Sequence, residues 1–280
     1  LGEVLLFVDL HVHTTASDGT FQPQEAVACA KAQNLSAIAI TDHDTIDGIK
    51  PAQEAGKQLG IEVIEGVELG CDLAGREIHI LGYLIRRNSQ VLLAALSNLA
   101  EERTARAQEM VRRLNKLGIG VLWEDVAALA GDGTVGRLHI ARVLASGGWA
   151  RDQSDAFARY LDRDKPAYVP RQRLSPAGAI ELIHQAGGVA VLAHPKLIGR
   201  DQVIRELAAE GLDGIEVYHV CHDWQDVAKY KQLARKFGLL LTGGSDCHGP
   251  AGKGEVLLGK ILTPIECLIQ LQERAREYRC

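Results

Sequence analysis

An excess of charge of one sign is missing from this 280-residue chain: 31 Lys and Arg stand against 36 Asp and Glu, a formal charge of -5. A broad basic face for gripping duplex DNA is therefore not expected. Long apolar runs are missing too. None approaches the roughly 20 residues that a membrane-spanning helix needs, so no membrane partner is expected. Aromatic residues are only 5% of the chain, too few for the stacking platform of a single-strand binder. The six cysteines (Cys29, Cys71, Cys221, Cys247, Cys267, Cys280) form no C-x-x-C pair. A chain of this size does not need them as staples, which reads as reduced thiols in a cytoplasmic protein. The opening LGEVLLFVDLHVH lacks a basic start and a small-residue cleavage site, and reads as a strand rather than a signal peptide.

What is present is an ordinary globular composition, 46% hydrophobic and 24% charged, with 10 histidines. Short apolar runs alternate with helical patterns up to about residue 89 and again from about 166, which predicts an α/β fold with a parallel sheet or βα barrel. Between them, residues 90–165 carry only helical patterns and read as an inserted helical cap. Its first helix runs from Val91 to Leu117 with Gly118 as the stop, and shorter ones start near Trp123, Arg137 and Gln153.

The histidines and acids cluster at the ends of the apolar runs. FVDLHVH, AIAITDH, IEVIEGVE, EIHILGY, VAVLAH and LLTGGSDCH each end in, or carry, a candidate metal ligand. In a parallel βα array all strand C-termini lie on one face, where active sites are built. Residues i and i+2 of a strand share a side, so His11 pairs with His13 and Asp246 with His248, while Cys247 points away. Imidazoles and carboxylates together suit Mn, Zn or Fe, and a bridging carboxylate such as Glu68 or Asp246 holds two metals about 3.5–4 Å apart. Each motif alone has a plainer reading. Asp44 or Asp47 fits a helix N-cap, His79 a core histidine, and His194-Pro195 a turn. His139, His184, His219 and His222 are not expected to be ligands, and His219 and His222, which follow a strand end, are candidates for groups that support the ligands from behind.

H-x-H, T-D-H-D, G-x-E, H-P and S-D-x-H together resemble the PHP (polymerase and histidinol phosphatase) superfamily of metal-dependent phosphoesterases. The stretches Asp9 to Thr20 and His79 to Tyr83 are the most specific. The insertion resembles the branch that contains nucleoside 3′,5′-bisphosphate phosphatases, some of which trim short RNA 5′→3′. The resemblance implies a distorted (β/α)7 barrel with a helical cap, built from residues 1–89 and 166–280. It implies two to three divalent metals, Mn first, with Zn, Fe or Mg as alternatives. The ligands it implies are His11, His13, Asp18, His43, Glu68, His79, His194, Asp246 and His248. Where some relatives read H-P-G-R-Y, this chain has His194-Pro195-Lys196-Leu197-Ile198.

Residues 101–165 hold 11 Lys/Arg against 10 Asp/Glu, which suits an anionic substrate. Arg103 and Arg106 share a helix face, and Arg137 sits at a helix start behind Gly136, so the three are candidates for a phosphate clamp. The plainer reading is a solvated helix face, which is expected for Arg112, Arg113 and Lys116, with Glu102–Arg103 and Arg106–Glu109 as surface pairs. Lys165 and Arg171 are weaker candidates. The expected activity is hydrolysis of a phosphate monoester, the 3′-phosphate of a nucleoside 3′,5′-bisphosphate, with short RNA as a further substrate. Asp18, His43, Arg103 and Arg137 are the candidates for catalysis. Asp18, His43, His248, Arg103, Arg106 and Arg137 are the candidates for substrate contact. The alternatives are a histidinol-phosphate phosphatase, an amidohydrolase-type deaminase and a non-catalytic metal-binding domain.

Overall fold

The computed structural model describes residues 6–131, 135–170, 174–250 and 256–279. Arg171 and Cys280 lie outside them, as does the start of the first apolar run. The chain divides into two units, residues 1–95 with 173–280, and residues 96–172.

The first unit is an eight-stranded sheet in the order β7-β6-β5-β4-β3-β2-β1-β8. The strands are β1 (Phe7–Val12), β2 (Ala37–Ile40), β3 (Glu62–Leu73), β4 (Arg76–Tyr83), β5 (Val189–Leu192), β6 (Gly214–His219), β7 (Leu240–Gly244) and β8 (Thr263–Pro264). The sheet curls until its ends meet. Past β7, Cys247 bridges Val12 in parallel, and His13 N–H donates to the Cys247 carbonyl at 3.0 Å. The result is a nearly closed α/β barrel, as expected.

Two strands break the parallel rule. β4 runs antiparallel to both β3 and β5, and β8 runs antiparallel to β1. The reason for β4 is local: Ala74 (φ 51) and Gly75 (φ 82) make a tight turn, and a turn that short can only join antiparallel strands. His79 therefore does not come from a strand C-terminus. It lies mid-strand, opposite Gly70, on a strand that runs back from the barrel mouth.

Alternation sorts β1. Val8 and Leu10 enter the core shared with Leu268 and Leu271 of the last helix, Ile265–Glu277. Asp9 and His11 point to the opposite face. Gly244 permits the closure, because a Cβ there would stand 2.4 Å from His11 Cβ.

Two capping expectations need correction. The helix Ile49–Leu59 has Gly48 at its N-cap. Asp44 Oδ1 instead accepts from Gly70 N–H at 3.2 Å, and Asp47 Oδ2 from the Thr45 hydroxyl at 3.0 Å. His194-Pro195 is more than a turn: Pro195 opens a short helix, Pro195–Ile198.

The second unit is helical. Its segments include Trp123–Ala130, Arg137–Ser146 and Gln153–Ala156, the last continued by a π-helical turn, Phe157–Leu161. They pack around Met110, Leu114, Ile140, Leu144 and Leu161, a core of their own. Among the described residues no helix is long and apolar enough to cross a membrane.

Candidate metal centre

Strands β1, β2, β3, β4, β5 and β7 and the loops after them deliver side chains to one cluster with Glu68 at its hub, Glu68 and His79 from mid-strand and the others from strand ends or loops. Glu68 is 1% exposed. Its Oε2 has His11 Nε2, His13 Nε2 and His43 Nδ1 at 3.3, 3.1 and 3.1 Å. Its Oε1 has His79 Nδ1 at 2.8 Å and His194 Nε2 at 3.2 Å. Each oxygen faces a different set of nitrogens, the disposition of a bridging carboxylate. Asp246 Oδ1 approaches His11 and His13 Nε2 at 3.4 and 3.2 Å. At the rim, Asp18 approaches His248 Nε2 at 3.3 Å, and His43 Nε2 and His13 Nδ1 at 3.9 Å each. All nine residues expected as ligands are thus brought together.

Among the described residues of this cluster, four overlapping groups have ligand atoms within 4.8 Å of one another: His11, His13, Glu68 and Asp246; His13, Asp18, His43 and His248; His43, Glu68 and His79; and His11, Glu216 and His219. The donor chemistry fits divalent cations. His11 and His13 present Nε2 atoms to each other at 3.1 Å, a contact that two lone pairs cannot make without a proton or cation between them. His13 Nδ1, Glu68 Oε2, His79 Nδ1 and His194 Nδ1 are buried without an aligned hydrogen bond. Buried polar atoms normally have partners, and a cation supplies one to several of these at once.

The protonation balance carries the same message. Burial opposes charge on the His11, His13, His43 and His79 imidazoles, but Asp246 and Glu68 outweigh it for His13, and Glu68 with Glu77 does so for His79. Both are raised to about 10. His11 is raised by Asp246, Glu216 and Glu68 against the same penalty. For His43 burial prevails and lowers it to about 4. Burial also opposes the charged forms of Glu68, Asp246 and Asp18, yet the surrounding imidazoles hold all three well below the usual carboxylate range. Without metal, protons on histidine balance the buried acids.

Strained backbone marks the same place. His194 (φ 27) and Asp246 (φ 52) lie in the left-handed region that non-glycine residues avoid, and such strain collects at functional sites.

Sequence reasoning missed the carboxylates that support the cluster, though it offered His219 as a supporting group. Glu216, fully buried in β6, accepts from His11 Nδ1 at 3.0 Å and from His194 N–H at 2.7 Å. It sets the His11 tautomer that leaves the Nε2 lone pair facing the cluster, where it could hold a metal. His219 Nε2 lies 3.6 Å from Asp246 Oδ2 and 3.9 Å from Glu216 Oε2. Buried Asp9 accepts from Ser245 N–H at 2.9 Å and Gly259 N–H at 3.1 Å. Buried Asp42 accepts from Thr14 N–H and hydroxyl, both at 2.7 Å, and from the Ser17 hydroxyl at 2.6 Å, fixing the loop that carries Asp18. An acid inside an apolar strand, as in Gly214-Ile215-Glu216-Val217, was the available signal. His184 pairs with Asp213 at 2.8 Å, away from the cluster. In the helical unit, His139 Nδ1 accepts from Gly136 N–H at 3.0 Å.

In that unit, Arg103 Nη2 would lie 3.6 Å from a Cβ at Gly136, beside the start of the Arg137 helix. Arg106 spends its Nε on the Val169 carbonyl at 2.7 Å, and the Arg137 guanidinium lies 5.5 Å from the Phe157 ring centre. Glu109 pairs with Arg112 and Arg113, where the sequence suggested Arg106. Arg113 also donates to the Tyr168 carbonyl, so it is not purely a solvated residue.

Known proteins match both the sequence and the fold. The PHP domain family model matches residues 9–162. A Haemophilus influenzae protein named 5′-3′ exoribonuclease is 38% identical over 95% of this chain and 98% of its own. A Chromobacterium violaceum 3′,5′-nucleoside bisphosphate phosphatase is 34% identical over 88% of this chain and 89% of its own. A solved Bifidobacterium adolescentis structure, described as a metal-dependent phosphoesterase, superposes with a TM-score of 0.87 at 32% identity, covering 96% of both chains.

Proposed function

The chain belongs to the PHP domain family, and from that premise we propose that it removes the 3′-phosphate from nucleoside 3′,5′-bisphosphates, with manganese as its metal. It is a metal-dependent phosphoesterase, a hydrolase of phosphate esters. The observation that carries the reading is the Glu68 hub, where one buried carboxylate faces five imidazole nitrogens through two different oxygens.

Bound divalent metals supply an acidified water and offset the charge of the phosphate. His11, His13, Glu68 and Asp246 would hold one metal, and His43, Glu68 and His79, with His194 alongside, a second. His13, Asp18, His43 and His248 would hold a third. The innermost side chains, His11, His13 and Glu68, are 0–1% exposed, whereas those of His43, Asp18 and His248 are 17, 27 and 37% exposed. That gradient supports reading the buried set as the holders of metal. In this reading Asp18, His43 and His248 also contact the phosphate and its leaving oxygen. Arg103, Arg106 and Arg137 are assigned to the second phosphate, with Arg103 and Arg137 stabilising charge as it develops. The support within the helical unit is Arg103 beside a helix start, where backbone N–H groups also favour anions.

Short RNA, trimmed 5′→3′, is a second substrate class in this reading. Its support is the match over nearly the full length of the H. influenzae exoribonuclease.

The test is phosphate or nucleotide release with Mn from 3′-phosphoadenosine 5′-phosphate, adenosine 5′-monophosphate, histidinol phosphate and short RNA. The bisphosphate should lead and histidinol phosphate should trail. Arg103→Ala should raise KM for the bisphosphate by roughly 10-fold or more while leaving monophosphate KM nearly unchanged. Equal effects on both would remove Arg103 from the clamp.

A further inference from the structure

The turn after β6 gathers a second ligand set with a different chemistry. His219, Cys221 and His222 bring ligand atoms within 4.8 Å of one another. Cys221 Sγ lies 3.0 Å from His219 Nδ1. His222 Nδ1 lies 2.8 Å from the Val217 carbonyl oxygen. A carbonyl only accepts, so Nδ1 carries the proton and the neutral ring keeps its lone pair on Nε2. That Nε2 is buried and has no hydrogen-bond partner. A backbone carbonyl on one ring nitrogen, with a lone pair waiting on the other, is how proteins orient metal-binding imidazoles. His219 is 4% exposed, and its Nδ1, the nitrogen beside the Cys221 thiol, accepts from the Cys221 N–H at 3.2 Å, so Nδ1 is unprotonated on the sulfur side while Nε2 faces Asp246 and Glu216.

The Glu68 cluster offers nitrogen and oxygen only. Cys247, although it lies between Asp246 and His248, accepts from Gly249 N–H at 3.3 Å and is turned from that cluster. Cys221 therefore adds a sulfur donor at a place of its own. Thiolate with two imidazoles selects softer ions than a carboxylate-rich site does.

We propose that His219, Cys221 and His222 form an auxiliary site for a soft divalent metal of the zinc class, beside the phosphoesterase centre and distinct from it in donor chemistry. Three protein ligands leave a fourth position for water or an incoming group. On binding, the thiol proton departs to solvent as the sulfur–metal bond forms, and partly exposed Cys221 gives it a path. The His219 ring also faces Asp246 and Glu216, so occupancy of the auxiliary site fixes a group that borders the main cluster.

Cobalt(II) titration of the metal-free protein tests this, because only a thiolate ligand gives cobalt an intense near-ultraviolet charge-transfer band. The wild type should develop that band. Cys221→Ser should lose it and bind one cobalt fewer per chain, while keeping the visible cobalt bands of the nitrogen and oxygen ligands, which report an intact main centre. His222→Ala should weaken cobalt affinity at the charge-transfer site by 10-fold or more. No near-ultraviolet band in the wild type at saturating cobalt, or a band that survives Cys221→Ser, overturns the proposal.

Discussion

Glu216 is a single buried carboxylate that does two jobs: it holds the His11 ring by its Nδ1 and the His194 backbone by its N–H. Outer partners of this kind typically govern metal affinity by 10–100-fold. Glu216→Gln keeps the shape and removes the charge, so manganese affinity should fall by about 10–100-fold while far-ultraviolet circular dichroism stays unchanged. Calorimetric titration reads this directly, and an unchanged affinity would mean that the neighbouring residues fix His11 without Glu216. At this scale the candidate ligands were legible and the carboxylates behind them were not. His11, His13, Asp246 and His248 announce themselves by i, i+2 spacing at the end of apolar runs. Glu216 has no such neighbour. Its role depends on β6 lying beside β5 and bringing it under His194, a long-range fact that no local spacing carries.

At the scale of elements, the barrel works as a convergence device. Parallel strands bring β1, β2, β3, β5, β6 and β7 to one end, and the β3–β4 hairpin turns a seventh strand back along the wall. His79 enters the cluster because β4 runs antiparallel: the residue faces Gly70, beyond Glu68 on the same hairpin. The Ala74-Gly75 turn was visible in the sequence and already demanded this pairing. The rhythm of alternating strands and helices drew β4 into the parallel set instead. β8, two residues long, has no periodicity to read. The helices were clearer, because their ends carry chemistry: Pro23 and Pro176 start two helices, and Gly60 and Gly238 close two others in the left-handed conformation. Closure of the barrel depends on one small residue. Gly244→Ala would push a methyl to 2.4 Å from His11 Cβ, where both neighbours are backbone-anchored. We expect a loss of about 1–3 kcal/mol in denaturant unfolding together with weaker manganese binding. A variant as stable as the wild type would show that the two strands part easily.

At the scale of the whole molecule, the acidic character of the chain acquires a location. Glu68, Asp246, Asp18 and Glu216 lie within one cluster, and without metal their charge is met by protons on His11, His13 and His79. The sign of the resulting pH dependence follows. His13 and His79 rise from the ordinary 6.5 to about 10 on folding. Their contribution to stability is fully present below pH 6.5 and is lost as pH rises through 10. Metal-free protein should therefore lose thermal stability steadily between pH 7 and 10, and manganese-loaded protein should lose much less, because the metal replaces those protons. Parallel melting curves with and without metal give the comparison; equal slopes would place the proton balance elsewhere. The same replacement would reconcile a negative formal charge with a phosphate-bearing substrate: the acids at the barrel mouth would act as counterions for metals.

The most direct measurement is phosphate release from 3′-phosphoadenosine 5′-phosphate by one preparation in three states: as isolated, after exhaustive chelation, and after manganese is restored. The account predicts that chelation abolishes release and that manganese restores it, with Glu68→Gln inactive in every state. Hydrolysis by the chelated protein at the rate of the reloaded one would contradict it, as would a reloaded protein that leaves the bisphosphate intact.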